Sequence, residues 1–173
     1  MVPIELVWFI IVLLFGLIGL VRGYLKELGV TTVMVVVLFG IITIEGRLVP
    51  VLARLANWAD EVQLISWQTG LWVVGLIITA FISYQGETLA FEGTQPKGGV
   101  GQFLNLSSGL VNGYLIAGGV WYYLDRLGYP LLGIRHDDLS AFAKQLLTLT
   151  PPSLLAPYLL YVAIFLVLMR VVR

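Results

Sequence analysis

Apolar residues occupy this chain in long blocks rather than in the alternating pattern of a half-buried surface. Five blocks stand out, over about 4–22, 25–45, 63–85, 103–124 and 153–170. A membrane-spanning helix needs about 20 mostly apolar residues, within a range of roughly 17–25. The blocks at 63–85 and 103–124 contain no charged residue, and the others carry charge only near their ends. A helix that is apolar on every side suits lipid or a large core, not a water-facing bundle. The pattern therefore predicts an all-α fold: a polytopic integral membrane helix bundle of four to five transmembrane helices, in a single membrane domain over residues 1–173. Arg22-Gly23-Tyr24 separates the first two blocks, and Glu45-Gly46-Arg47 closes the second. The fifth block is the shortest, with Pro151, Pro152 and Pro157 at its start.

The linkers have patterns of their own. Leu48, Val51, Leu52, Leu55 and Trp58 recur at helical spacing, which predicts an amphipathic helix lying at the membrane interface. Leu139, Phe142, Ala143, Leu146 and Leu147 do the same and predict a second headgroup-level helix over 138–149. The polar, glycine-rich stretch 86–102 predicts a flexible connection. Its Pro96-Lys97-Gly98-Gly99-Val100-Gly101 lacks the residue order and the strand-to-helix setting of a phosphate-binding loop.

Residues 19–29 can be laid over 109–119 with seven of eleven positions identical. The two copies begin in the first and fourth blocks, which run antiparallel if helices alternate. This is the pattern of an inverted-topology repeat. Gly16, Gly19 and Gly23 line one side of the first segment, with small-xxx-small spacing between Gly19 and Gly23 as between Gly109 and Gly113 in the fourth, and these five are the expected helix-packing positions. Asn105, Ser108 and Asn112 share a face beside the second set. They are read first as interhelical hydrogen-bond glue, and second as a functional polar site. Arg22, Lys26 and Glu27 close the first hairpin. Lys26 and Glu27 are expected to form an exposed pair, and Arg22 to bind lipid phosphate or backbone carbonyls of the neighbouring copy.

Composition narrows the chemistry. Apolar residues make up 59% of the chain and charged residues 12%, against about 25% charged in a soluble domain. The net charge is zero, so nothing points to nucleic acid. The absence of cysteine excludes disulfides and thiolate chemistry. Ser107 and Ser108 have no histidine or lysine base in their segment, and the lone His136 beside Asp137 and Asp138 reads as a solvated loop cluster. No catalytic residue, metal ligand or cofactor is expected. The start of the chain lacks the basic region and cleavage site of a signal peptide, so the first segment is expected to stay in place as a helix. Arg47, Arg54, Arg126, Arg135 and Lys144 would lie on one side of a five-span bundle, and Arg22, Lys26, Lys97, Arg170 and Arg173 on the other. The basic residues therefore tie, and the first hairpin favours the N-terminus outside and the C-terminus inside.

Glu5, followed by Arg22, Gly23, Tyr24, Lys26 and Glu27, resembles the opening of the colicin V production protein family. The first segment of these bacterial proteins begins with an acidic residue and ends in Arg-Gly-aromatic-x-basic-Glu. The similarity covers roughly the first 45 residues, with a looser one over 98–124. Asn105 and Asn112 stand where the family carries charge, and the fifth block is an addition. The resemblance implies a multi-pass protein of the bacterial inner membrane, non-enzymatic, with a role in toxin production or secretion and in envelope homeostasis. Two other readings stand beside it. One is a small transporter or channel built as a dimer on the inverted repeat; the other is an accessory subunit of a larger membrane complex. The lipid bilayer is the one partner common to all three. A homodimer and a larger membrane complex are both left open.

Overall fold

The computed structural model describes residues 3–55, 60–85, 90–129 and 132–171, and among them every regular element is helical. Four long helices come first: α1 (Ile4–Arg22), α2 (Tyr24–Leu55), α3 (Glu61–Gln85) and α4 (Gly98–Arg126). Three short ones follow: α5 (Ala141–Thr148), α6 (Pro151–Leu154) and α7 (Leu159–Val171), with a single 3-10 turn at His136–Asp138 before them. α1, residues 24–48 of α2 and residues 62–85 of α3 are long and apolar enough to cross a membrane.

α1 ends because Gly23 takes φ 88° and ψ 147°, a conformation that glycine adopts without penalty and other residues rarely do. Its N–H still bonds the Gly19 carbonyl at 2.9 Å, closing the last turn. The chain then re-enters a helix at once. α2 runs past Glu45-Gly46-Arg47, where the apolar block stops, and through Pro50 to Leu55. Charge ends a lipid-compatible stretch, but it does not interrupt the backbone hydrogen-bond ladder. Residues 48–55 therefore continue α2 rather than forming a separate interfacial helix. Trp58, the last position of that pattern, lies outside the described residues.

Side-chain pairings fix the directions. Tyr84 and Gln68 of α3 meet Glu27 and Glu45 of α2, so α2 and α3 are antiparallel. Asn112 and Arg126 of α4 meet the same two residues in the same order, so α2 and α4 are parallel. α1 is antiparallel to α4: Val12 lies against Gly113, Gly16 against Leu110, and Gly19 against Gly109 and Asn105. α4 is the hub, in contact with α1, α2, α3 and α6. Its many glycines and its asparagines lower its hydropathy, so it is absent from the helices apolar enough to cross alone. The main core joins Met34, Leu38 and Ile41 of α2, Leu76 of α3, Leu115 and Tyr123 of α4, and Leu159 of α7. α1 turns Leu13, Leu17 and Val21 outward.

The α1–α4 contact is set by glycine. A Cβ built on Gly19 would fall 2.8 Å from the Gly109 Cα and would collide with the Asn105 carbonyl. One on Gly113 would fall 2.8 Å from the Val12 Cα. Gly16 and Gly109 are equally closed, by Leu110 and by the α1 backbone. Gly23 shares their spacing but not their role. It is the break between α1 and α2, and it packs under the Gln95 side chain. The linker that carries Gln95 is held at Phe91, while residues 92–97 are exposed. Phe91 is buried, and its N–H bonds the Leu25 carbonyl at 3.0 Å. Residues 98–102, expected to belong to the linker, form the first turn of α4.

The fifth apolar block is not one helix. α6 and α7 are separated at 155–158, around Pro157. α7 has 13 residues, about 20 Å at 1.5 Å per residue, short of a hydrocarbon core of about 30 Å. α5 is capped by Ser140, whose hydroxyl accepts from the Ala143 N–H at 3.0 Å. It buries Ala143 and Leu147 against Trp121 and Tyr129, while Phe142 stays exposed and stacks on Phe9. The chain has moved inward by the end of α5. The Tyr114 hydroxyl donates to the Leu149 carbonyl at 2.6 Å, and Pro151 lies over Gly118.

Gly109→Val and Gly113→Leu should each destabilise the protein by about 1–3 kcal/mol or more, the usual range for forced over-packing. Gly75→Ala is the control, since a Cβ there meets nothing within 4 Å, and it should be neutral or gain about 0.5–1 kcal/mol in a helix interior. Thermal unfolding in detergent measures all three. Equal melting temperatures would refute backbone contact between α1 and α4.

Candidate functional site

An ionised carboxylate withdrawn from water must be surrounded by donors or neutralised. Glu27 is such a group: it is 0% exposed, in the first turn of α2. Arg22, one residue before the Gly23 break, donates from Nη1 to Glu27 Oε1 at 3.2 Å. The Tyr84 hydroxyl of α3 donates to Oε2 at 2.7 Å. The Asn112 amide of α4 donates to the same oxygen at 2.7 Å and to the Glu27 backbone carbonyl at 2.9 Å. Thr31, one turn further along α2, donates to Asn112 Oδ1 at 2.7 Å and so fixes which way that amide faces. The Arg22 guanidinium also lies over the Tyr84 ring, 4.5 Å from its centre. One carboxylate thus ties together the end of α1, the start of α2, the end of α3 and the middle of α4.

Lys26 and Glu27 do not form an exposed pair. Consecutive helical residues point about 100° apart, so Lys26 stays half-buried while Glu27 enters the core. The break at Gly23 also puts Arg22 in α1 and Lys26 in α2, so no single helix face carries both cations. Arg22 is 19% exposed and takes Glu27 as its partner in place of the expected lipid phosphate or neighbouring carbonyls. Asn105 accepts from the Tyr24 N–H at 2.8 Å, serving the first amide of α2, which no intrahelical carbonyl reaches. Asn112 is fully buried. Ser108 turns back to the Leu104 carbonyl of its own helix at 2.8 Å. Glu5 lies at the opposite end of α1, accepting from the Ser140 hydroxyl at 2.8 Å.

A second cluster occurs five helical turns along α2. Glu45 accepts from the Tyr123 hydroxyl at 3.3 Å and pairs with Arg126, both from α4. Gln68 of α3 donates to the Glu45 backbone carbonyl at 3.0 Å. The parts match those around Glu27, with the roles of α3 and α4 exchanged. At Glu27 the amide comes from α4 and the phenol from α3; at Glu45 the reverse holds. Sequence reading missed Tyr84, Thr31, Glu45, Gln68, Tyr123 and Arg126 as site residues. The one local signal was the 18-residue spacing of Glu27 and Glu45, which places both on one face of α2, about 27 Å apart.

Outside the long helices, His136 Nδ1 lies 2.9 Å from Asp125, with the ring about half exposed. Burial pushes the Tyr129 phenol above its ordinary value, so it remains neutral while accepting from Trp121 Nε1 at 2.9 Å. Among the described residues no three histidine, aspartate or glutamate side chains come together to hold a metal ion.

The exposure of the two partners predicts an asymmetry. Arg22→Ala leaves a buried carboxylate without its cation and should cost about 3–5 kcal/mol. Glu27→Gln leaves an arginine that reaches solvent, and should cost less than half as much. The double variant should recover most of the Arg22→Ala loss. A double-mutant cycle on thermal stability measures the coupling, and additive losses would rule out a direct pair. No family model, no curated protein and no solved structure matches this chain.

Proposed function

We propose that this chain is a multi-pass protein of the bacterial inner membrane, non-enzymatic and of the colicin V production kind, acting in toxin production or secretion and in envelope homeostasis. One observation carries the reading. Four of the six residues behind the resemblance, Arg22, Gly23, Tyr24 and Glu27, form one assembly around the α1–α2 break, bound to Asn105, Asn112 and Tyr84, while Glu5 stands at the far end of α1. The cluster's groups are taken up by one another, which favours holding helices together over reacting with a substrate. The same buried carboxylate is the feature that favours transport as a second reading, because ionisable groups inside membrane bundles often mark ion paths. Proton or ion flux in proteoliposomes that disappears with Glu27→Gln would select it.

In this reading α1 to α4 all span. Glu27 and Glu45, about 27 Å apart along α2, then lie near the two faces of the hydrocarbon layer. α4 spans despite its lower hydropathy because its neighbours cover much of its surface. The fifth crossing is discontinuous: α5 descends beside α4 to the level of Tyr114 and Gly118, and α7 completes the passage. Helices broken in this way are tolerated within membranes where protein covers the freed backbone.

The absence of cysteine makes labelling direct. A cysteine at Gly128 and one added after Arg173 should react with impermeant reagent from opposite sides. Labelling from the same side would show that the last segment returns without crossing. In a deletion strain scored for toxin production or envelope stress, Arg22→Gln should fail to restore function. Arg22→Lys should restore part of it, keeping the charge and losing the planar fork. Full activity of both variants at wild-type protein levels would remove the cluster from the function.

A further inference from the structure

The Glu45 cluster, unlike the Glu27 cluster, is open. Glu45, Gly46, Pro50, Gln68, Thr69 and Arg126 line a recess of about 510 Å³, within the 300–1,000 Å³ usual for small-molecule sites. Several of its polar groups lack partners. Gln68 is 3% exposed; its Nε2 is held by the Glu45 carbonyl, and its Oε1 receives no donor among the described residues. Pro50 has no N–H to give to the carbonyl four residues earlier, that of Gly46. Arg126 is 41% exposed and uses one guanidinium nitrogen on Glu45; its remaining N–H groups have no partner among the described residues.

The recess therefore offers three acceptors, namely the Glu45 carboxylate, Gln68 Oε1 and the Gly46 carbonyl, beside a partly free guanidinium. A primary ammonium has three N–H donors, and guanidinium forks match phosphate oxygens. Exposed Trp67 on α3, and Tyr122 under Arg126, lie at this end of the bundle, the pairing of aromatics and cations typical of a headgroup layer. We propose that this recess binds the headgroup of a phospholipid carrying both a phosphate and a primary ammonium, of the phosphatidylethanolamine class. The ammonium sits on Glu45, Gln68 and Gly46, and the phosphate on Arg126, while the acyl chains run along the apolar outer faces of α2 and α3. The site rests on the membrane reading above.

N-methylation tests it directly, because phosphatidylcholine keeps the charge and phosphate but has no N–H. The full-length protein is placed in nanodiscs and then released for native mass spectrometry with equimolar lipids of matched chains. Phosphatidylethanolamine should be retained about tenfold over phosphatidylcholine, the factor expected for one charged hydrogen bond left unmade, with the monomethyl and dimethyl lipids in between. Gln68→Met should erase most of that preference. Arg126→Lys should lower retention of every phosphate lipid. Equal retention of the four lipids by the wild-type protein would overturn the site, and needs no variant to fold. Water-soluble glycerophosphoethanolamine should compete only weakly. Competition as strong as the lipid's would assign the recess to a soluble ligand and overturn the proposal. Failure of the chain to enter nanodiscs would overturn the membrane reading and this site together, whereas entry with equal retention overturns the site alone.

Discussion

The helix arrangement turns on a single buried carboxylate. A buried carboxylate needs donors in place of water, so those of Glu27 converge from separate elements. Arg22 arrives from α1, Tyr84 from α3 and Asn112 from α4. Each is held by something else: Gly23 sets where Arg22 ends, the Phe15 ring lies against Tyr84, and Thr31 orients Asn112. A buried ion pair of this kind adds little net stability compared with apolar side chains of equal volume. Its effect is on specificity, because other registers of α1, α3 and α4 against α2 would leave a charge unmatched.

The glycine seam and the carboxylate cooperate through the internal repeat. Gly19 and Gly109 are equivalent positions in the two copies, and they touch each other across the α1–α4 contact. Arg22 and Asn112 are also equivalent, and both donate to Glu27. The copies nevertheless differ in form. Gly23 breaks a helix with a positive φ, whereas Gly113 lies inside continuous α4 and makes room for Val12. The same short motif therefore supplies a turn in one place and a close approach in the other.

Much of the architecture was legible because it follows from length and apolarity. The blocks at 4–22 and 63–85 coincide closely with α1 and α3, and the glycine spacing marked the residues that meet between α1 and α4. The site was less legible. Arg22, Glu27, Asn105 and Asn112 stood out by type, but Glu27 was taken for half of a surface pair with its neighbour. Two of its real partners, Tyr84 and Asn112, lie 57 and 85 residues away, a distance that periodicity cannot bridge. Tyr84 in particular stands near the end of an uncharged run. The broken last segment was hidden for another reason: its composition is apolar throughout, and only Pro157 hinted that one block would become two helices.

The central position of α4 bears on how the protein is made. A chain emerges from the ribosome N-terminus first, so α1, α2 and α3 precede α4. These are the three helices whose own hydropathy suffices for crossing. On the membrane reading they can enter lipid independently. α4, with Asn105 and Asn112 on its inner side, finds matching partners only once Tyr24, Glu27 and Thr31 are already in place. Its insertion and its folding are then one event. A defect in Gly19 or Glu27 would show first as failure of a later segment to integrate, and only afterwards as loss of a folded bundle.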